Sequence, residues 1–317
     1  MEILLIMIVL FIFFITLLNC YYKLVIYRKT QEYHIAQVTR GTWDALSFGS
    51  SYCRFGIDFS ESNMNGYNLG FAAQFLYYTD KMLHQYIPFV KQGGYIFIIC
   101  ADLCFAEVGK GLFCANRYIH ILDKKNLGDE YSHWKYITKV LFPVAFNPKL
   151  IKLVIKDIFY RLCKIQIPNP YLIDHNPHNE QQVAADANQR CNDWCKQFGL
   201  QNTQTDEIPE LLKKKFDQTT KILEEMIDYC LSKGLSPILV CTPVSHHMNK
   251  LLSDQFLERV LYSNIRKANK ANIPFLDYTR DPRFQNIKYY FNADMMNAYG
   301  RKKFTKILVE DIKNLEK

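Results

Sequence analysis

Long runs of one charge are missing from this 317-residue chain. Its net charge of +8 is dispersed as single Lys and Arg residues among acids, and no basic block is longer than Lys213-Lys214-Lys215, which reads as a solvated helix face. The charge therefore makes no case for nucleic acid, although it suits an anionic membrane surface or a polyanionic glycan. A secreted disulfide framework is missing as well. The ten cysteines (Cys20, Cys53, Cys100, Cys104, Cys114, Cys163, Cys191, Cys195, Cys230 and Cys241) are scattered, and several fall in apolar runs where Cys acts as a small hydrophobe. They read as free thiols, which points to a reducing compartment or an organism living without oxygen. No internal repeat and no interdomain linker is visible, and no Gly-rich phosphate loop follows the first predicted strand, which argues against a nucleotide binder. Gly and Pro are unremarkable while aromatics reach 15%, so the chain is globular rather than disordered or fibrous.

One hydrophobic run is long enough to matter. Residues 3–18 are almost entirely apolar and the run extends through Tyr22, close to the ~20 residues that span a bilayer core. A basic n-region and a small-residue cleavage site are both lacking, and Asn19 before Cys20 is a poor lipoprotein context. An uncleaved anchor over residues 1–22 is expected, then a juxtamembrane linker over 23–40. Lys23, Arg28 and Lys29 follow the run while only Glu2 and the amino terminus precede it. The positive-inside rule then puts the globular part in the cytoplasm, and the free thiols agree.

Beyond the anchor, residues 44–48 read as a short buried strand closed by Gly49-Ser50-Ser51, and residues 63–70 as holding a second one. A helix is predicted over 72–86. Gly93-Gly94 is expected to break the chain before a continuously apolar strand at 95–100, the pattern of a strand buried on both faces. Residues 103–206 are irregular, with an amphipathic helix near 148–163 and an Asn/Gln/His-rich stretch after it, and read as an insertion capping the sheet. Helices at 209–232, 254–269 and 297–315 then alternate with strands at 237–242 and 274–278. That alternation predicts βαβ units, a parallel sheet and helices on both faces, within one α/β domain over 41–317.

Ligands of open α/β sheets bind beyond the carboxyl ends of the strands. The residues there are Gly49, Ser50 and Ser51 after strand one, Asn68 and Gly70 after strand two, and Asp102 after strand three. Thr242, Ser245, His246 and His247 follow strand four, and Asp277, Asn292 and Asp294 follow strand five. Serine, histidine, carboxylate and glycine amides at one edge are the parts of an acyl-transfer site.

Phe48-Gly49-Ser50-Ser51, Arg54-Phe55-Gly56-Ile57-Asp58, Asn68-Leu69-Gly70 and the run Phe291-Asn292-Ala293-Asp294-Met295-Met296-Asn297-Ala298-Tyr299-Gly300 with Phe304 resemble the SGNH (GDSL-type) hydrolase and acyltransferase superfamily. The closer likeness is to membrane-anchored members of bacterial cell-surface polysaccharide systems. The resemblance implies a three-layer, flavodoxin-like doubly wound parallel sheet, with Ser51 as nucleophile and the backbone N–H groups of Ser51 and Gly70 as oxyanion donors. It implies esterase or O-acyltransferase chemistry on carbohydrate or another acyl ester, without cofactor or metal, beside polysaccharide-assembly membrane proteins. It also favours the outer face of the membrane, against the flanking charges and thiols, and on function the expectation leans that way.

The departures from the family pattern are specific. Cys100-Ala101-Asp102 lacks the oxyanion-hole asparagine of the third block. The Asp-x-x-His block reads Asn292-Ala293-Asp294-Met295, and methionine cannot take a proton. His246 or His247 could substitute as base; otherwise the protein is an inactive binding or accessory subunit. One possible zinc set, His175 and His178 with Cys191 and Cys195, lacks the closely paired spacing of structural sites, so no metal is expected.

Overall fold

The computed structural model describes residues 1–106, 115–165, 179–204 and 207–315. In chain order its main elements are α1 (Glu2–Tyr21), β1 (Trp43–Phe48), α2 (Ser51–Gly56), β2 (Gly66–Asn68), α3 (Leu76–Tyr86), β3 (Val90–Cys100) and α4 (Pro148–Leu162). They continue with α5 (Glu180–Phe198), α6 (Glu210–Ser232), β4 (Ser236–Cys241), α7 (His246–Leu251), β5 (Phe275–Asp277) and α8 (Ala298–Leu315). The chain divides into two compact units, Met1–Gln37 with Leu112–Ile173, and Val38–Gly111 with Asp174–Lys317.

The second unit holds a five-stranded, all-parallel sheet in the order β2-β1-β3-β4-β5. Alternate residues of the central strands serve opposite faces. Ala45, Phe97, Ile99, Ile238 and Val240 pack with Phe304, Leu308 and Ile312 of α8. Leu46, Ile96, Ile98 and Leu239 are equally buried from the other side, where α3 and α6 lie together. Burial on both faces explains the unbroken apolar runs, and the α/β class with a parallel sheet is as the alternation predicts.

Two boundaries differ from the expectations. Gly93-Gly94 does not break the chain, because β3 starts at Val90 and the glycines lie inside it. They sit where the pairing with β1 is irregular between Trp43 and Ala45, and a Cβ on Gly94 would come within 2.8 Å of Asp44 O. The predicted helix at 72–86 begins only at Leu76.

In the first unit, helix runs on from α1 through Lys29. Residues 23–40, expected as a linker, are helical almost throughout. Residues 3–17 of α1 are largely exposed apolar side chains, whereas Leu18 and Asn19 are buried. Leu18 packs with Val144 and Val154, joined by Tyr21, Tyr22, Ile26, Leu150, Ile151 and Ile158. The Asn19 Nδ2 donates to Leu141 O at 2.9 Å, and Tyr21 Oη donates to Asp157 Oδ2 at 2.6 Å. The far end of the apolar helix is thus part of this unit's core.

Candidate functional site

Ser51 follows β1 after a turn that only glycine can make at its first position. Gly49 has φ +151°, and a Cβ there would lie 3.0 Å from Ile99 O. Ser50 is extended and Ser51 is the first residue of α2, with its side chain half-exposed. Among the described residues no hydrogen-bond partner serves the Ser51 hydroxyl.

Gly70 lies against the same turn: a Cβ on it would meet Arg54 N at 2.4 Å and the Cys53 carbonyl carbon at 2.8 Å. Its N–H, the expected oxyanion donor, donates to Asn68 Oδ1 at 2.7 Å. Asn68 also donates from Nδ2 to Cys53 O at 2.9 Å and Ile57 O at 2.7 Å, tying the end of β2 to α2.

Beside Ser51 in sequence, Tyr52 reaches a buried charged cluster. Its hydroxyl donates to Asp294 Oδ2 at 2.9 Å and lies 3.4 Å from Asp102 Oδ2. Asp102 and Asp294 are 3% and 2% exposed, so two carboxyl groups share one phenol out of water. Arg190 of α5 is the cation, with Nε 3.3 Å from Asp294 Oδ2 and a terminal nitrogen donating to Oδ1 at 3.3 Å. Burial first, and the Asp294 charge second, push the Asp102 carboxyl up to about 7. Burial also raises Asp294, against the opposing pull of Arg190 and Tyr52. Tyr52 is held protonated, well above its usual range, by burial and by both carboxylates. Arg190 thus lies against Asp294, while Asp102 stays neutral below about pH 7.

Residues 292–295 are ordered by the Asn292 side chain. Asn292 Oδ1 accepts from the N–H groups of Met295 at 2.8 Å and Asp294 at 3.2 Å, so it caps the turn and orients no base. Met295 is half-buried, and Phe291 N–H donates to its carbonyl. Asp186 of α5 accepts from Ala293 N–H at 2.8 Å, one helical turn before Arg190. Ser245 N–H donates to Ala293 O, which brings the loop after β4 alongside.

His246 and His247 open α7 after Ser245, whose hydroxyl caps it. Neither hydrogen-bonds to Ser51. His246 Nδ1 lies 3.1 Å from Gln285 O, and His247 Nε2 lies 2.5 Å from Glu180 Oε2. His246 Nε2 faces the same Glu180 oxygen at 3.5 Å. Among the described residues, Glu180, His246 and His247 offer three ligand atoms within 4.8 Å of one another, and the Gln285 carbonyl fixes the His246 tautomer that leaves Nε2 free. Such a set could hold a divalent cation. His175 and His178 lie outside the described residues; of their proposed companions, Cys191 is buried, its thiol pushed up to about 11 chiefly by burial, and Cys195 is half-buried.

Tyr52, Glu180, Asp186, Arg190 and Gln285 of this region were not singled out from the sequence. The signals for α5 were the Asn179–Gln182 capping box, the left-handed Gly199 that ends it and the spacing of Val183, Ala187 and Cys191. No family model matches the chain, and no curated protein matches it.

Proposed function

We propose that this chain is a membrane-tethered α/β protein of SGNH type that binds carbohydrate at the sheet edge around Ser51, as a non-catalytic component of a polysaccharide system. The observation that carries this reading is the isolation of Ser51. Met295 occupies the base position, both alternative histidines are engaged with Gln285 and Glu180, and the Gly70 N–H is committed to Asn68. A serine without a base loses on the order of 10⁴-fold or more of its reactivity. Tethering is supported by α1, which is long and apolar enough to cross a membrane. Cleaving it as a signal would strip Leu18 and Asn19 from the core of the first unit.

A second reading is favoured by one feature, the half-exposed Ser51 at the strand end beside Gly70. In that reading Ser51 attacks an ester carbonyl, releases the alcohol and passes the acyl group to water or a sugar hydroxyl. A fluorophosphonate probe with Ser51→Ala as control separates the two. Binding alone predicts no Ser51-dependent labelling and no hydrolysis of short acyl esters, together with retention on a glycan array that Ser51→Trp abolishes. Ser51-dependent labelling would overturn it.

A further inference from the structure

Beyond the spanning helix, the first unit exposes a set of large apolar side chains among its described residues. We propose that α4 and the short helices beside it lie in an anionic bilayer surface, so that the first unit is partly immersed in the membrane that α1 enters. The inference rests on reading α1 as a membrane span.

Length is the first argument. The exposed part of α1, from Glu2 to Leu17, covers about 24 Å at 1.5 Å per residue, short of the ~30 Å hydrocarbon core. A bilayer of ordinary thickness therefore reaches about four residues further, to Leu18–Tyr21, where Leu18 and Tyr21 pack with Leu150, Ile151, Val154 and Ile158 of α4. The missing depth is within the ~5–10 Å to which interfacial amphipathic helices sink.

The face of α4 is the second argument. At about 100° per residue, Leu150, Val154, Asp157 and Ile158 point toward α1. Ile155, Phe159 and Leu162, 50%, 57% and 77% exposed, form an apolar flank beside them. Lys149, Lys152 and Lys156 line the next arc, all exposed, and none pairs with a carboxylate among the described residues. Trp134 and Phe146 extend the apolar area; their rings meet edge to face at 5.3 Å, and Trp134 is 63% exposed. An apolar flank edged by lysines, with an aromatic belt, is the pattern of a surface-lying helix.

Charge distribution is the third. The first unit has thirteen Lys and Arg against six Asp and Glu, a net of +7, while the second has 26 against 25, a net of +1. Nearly all the excess charge of the protein thus belongs to the unit proposed to meet the membrane, where cations are attracted to anionic lipid.

The test uses the full chain in phosphatidylcholine vesicles, with and without phosphatidylglycerol, carrying brominated acyl chains. Co-flotation at high salt reports α1; quenching of Trp134, isolated by subtracting a Trp134→Phe variant, reports the face. We expect a roughly twofold loss of Trp134 emission for an indole held at the boundary, greater with phosphatidylglycerol. Phe159→Asp with Leu162→Asp should reduce the quenching while flotation persists, since both side chains are exposed and their loss leaves the core intact. Flotation with Trp134 unquenched, whether water or a second copy covers the face, would overturn the proposal. Quenching indifferent to phosphatidylglycerol would overturn its electrostatic part, and failure to float would instead count against the tether.

Discussion

Asp102 and Asp294 share one phenol out of water, and among the described residues Asp102 has no cation beside it to offset its burial, which makes stability depend on pH. The Asp102 carboxyl moves from an ordinary 3.8 to about 7 in the folded protein. Between those values the native state keeps a proton that the unfolded chain has lost, so stability falls as pH rises through the window and the full penalty is present above about pH 7. A shift of that size corresponds to on the order of 4 kcal/mol. Urea midpoints at pH 5 and pH 8 should drop more for the natural protein than for Asp102→Asn; equal slopes would exclude a titrating Asp102. The Arg190 pair makes a separate prediction. Arg190→Met leaves Asp294 buried without its cation and should cost about 3–5 kcal/mol. Adding Asp294→Asn should return much of it, which a double-mutant cycle on melting temperature measures.

At the scale of elements, α5 is the part on which the site depends most and which the sequence discloses least. Its Asp186 holds the Ala293 amide and its Arg190 holds Asp294. Asn179 closes a capping box with Gln182 at its start. Asn179→Ala should weaken the first turn by about 1 kcal/mol, a roughly fivefold faster amide exchange in α5. The Ala293 amide should accelerate with it, and protection at Ala293 unchanged while α5 loosens would show that the loop holds itself. The central strands were legible because burial on both faces leaves a continuous apolar run, and α6 because its apolar spacing stops at Gly234, φ +67°. The polar helix α5 buries only Val183, Ala187 and Cys191, too thin a stripe to stand out among Asn, Gln and Asp. Ser51 and Gly70 could be found because each follows a strand, and the 292–295 turn because its run resembles a family block. The Tyr52–Asp102–Asp294–Arg190 cluster could not, since it joins side chains 50, 104 and 242 positions apart, and no local pattern encodes such a meeting.

At the scale of the whole molecule, charge and topology bear on the side of the membrane. Lys23, Arg28 and Lys29 follow the apolar run directly, and the unit built around its end carries the +7 excess. Basic residues close to a span resist translocation, whereas distant ones matter little, so the first three weigh most. All nine described cysteines are free, and no pair is bridged among them, which is compatible with a reducing compartment. These terms oppose the outward placement suggested by likeness to surface polysaccharide systems, and they act on insertion itself rather than through analogy. Against the outward lean of the resemblance, these terms predict an inward orientation, which labelling can test. Lys214 is exposed on α6, which makes Lys214→Cys a reporter that leaves the core untouched. An impermeant maleimide should label that variant only after lysis, while labelling on intact cells would place the sheet and its Ser51 edge outside.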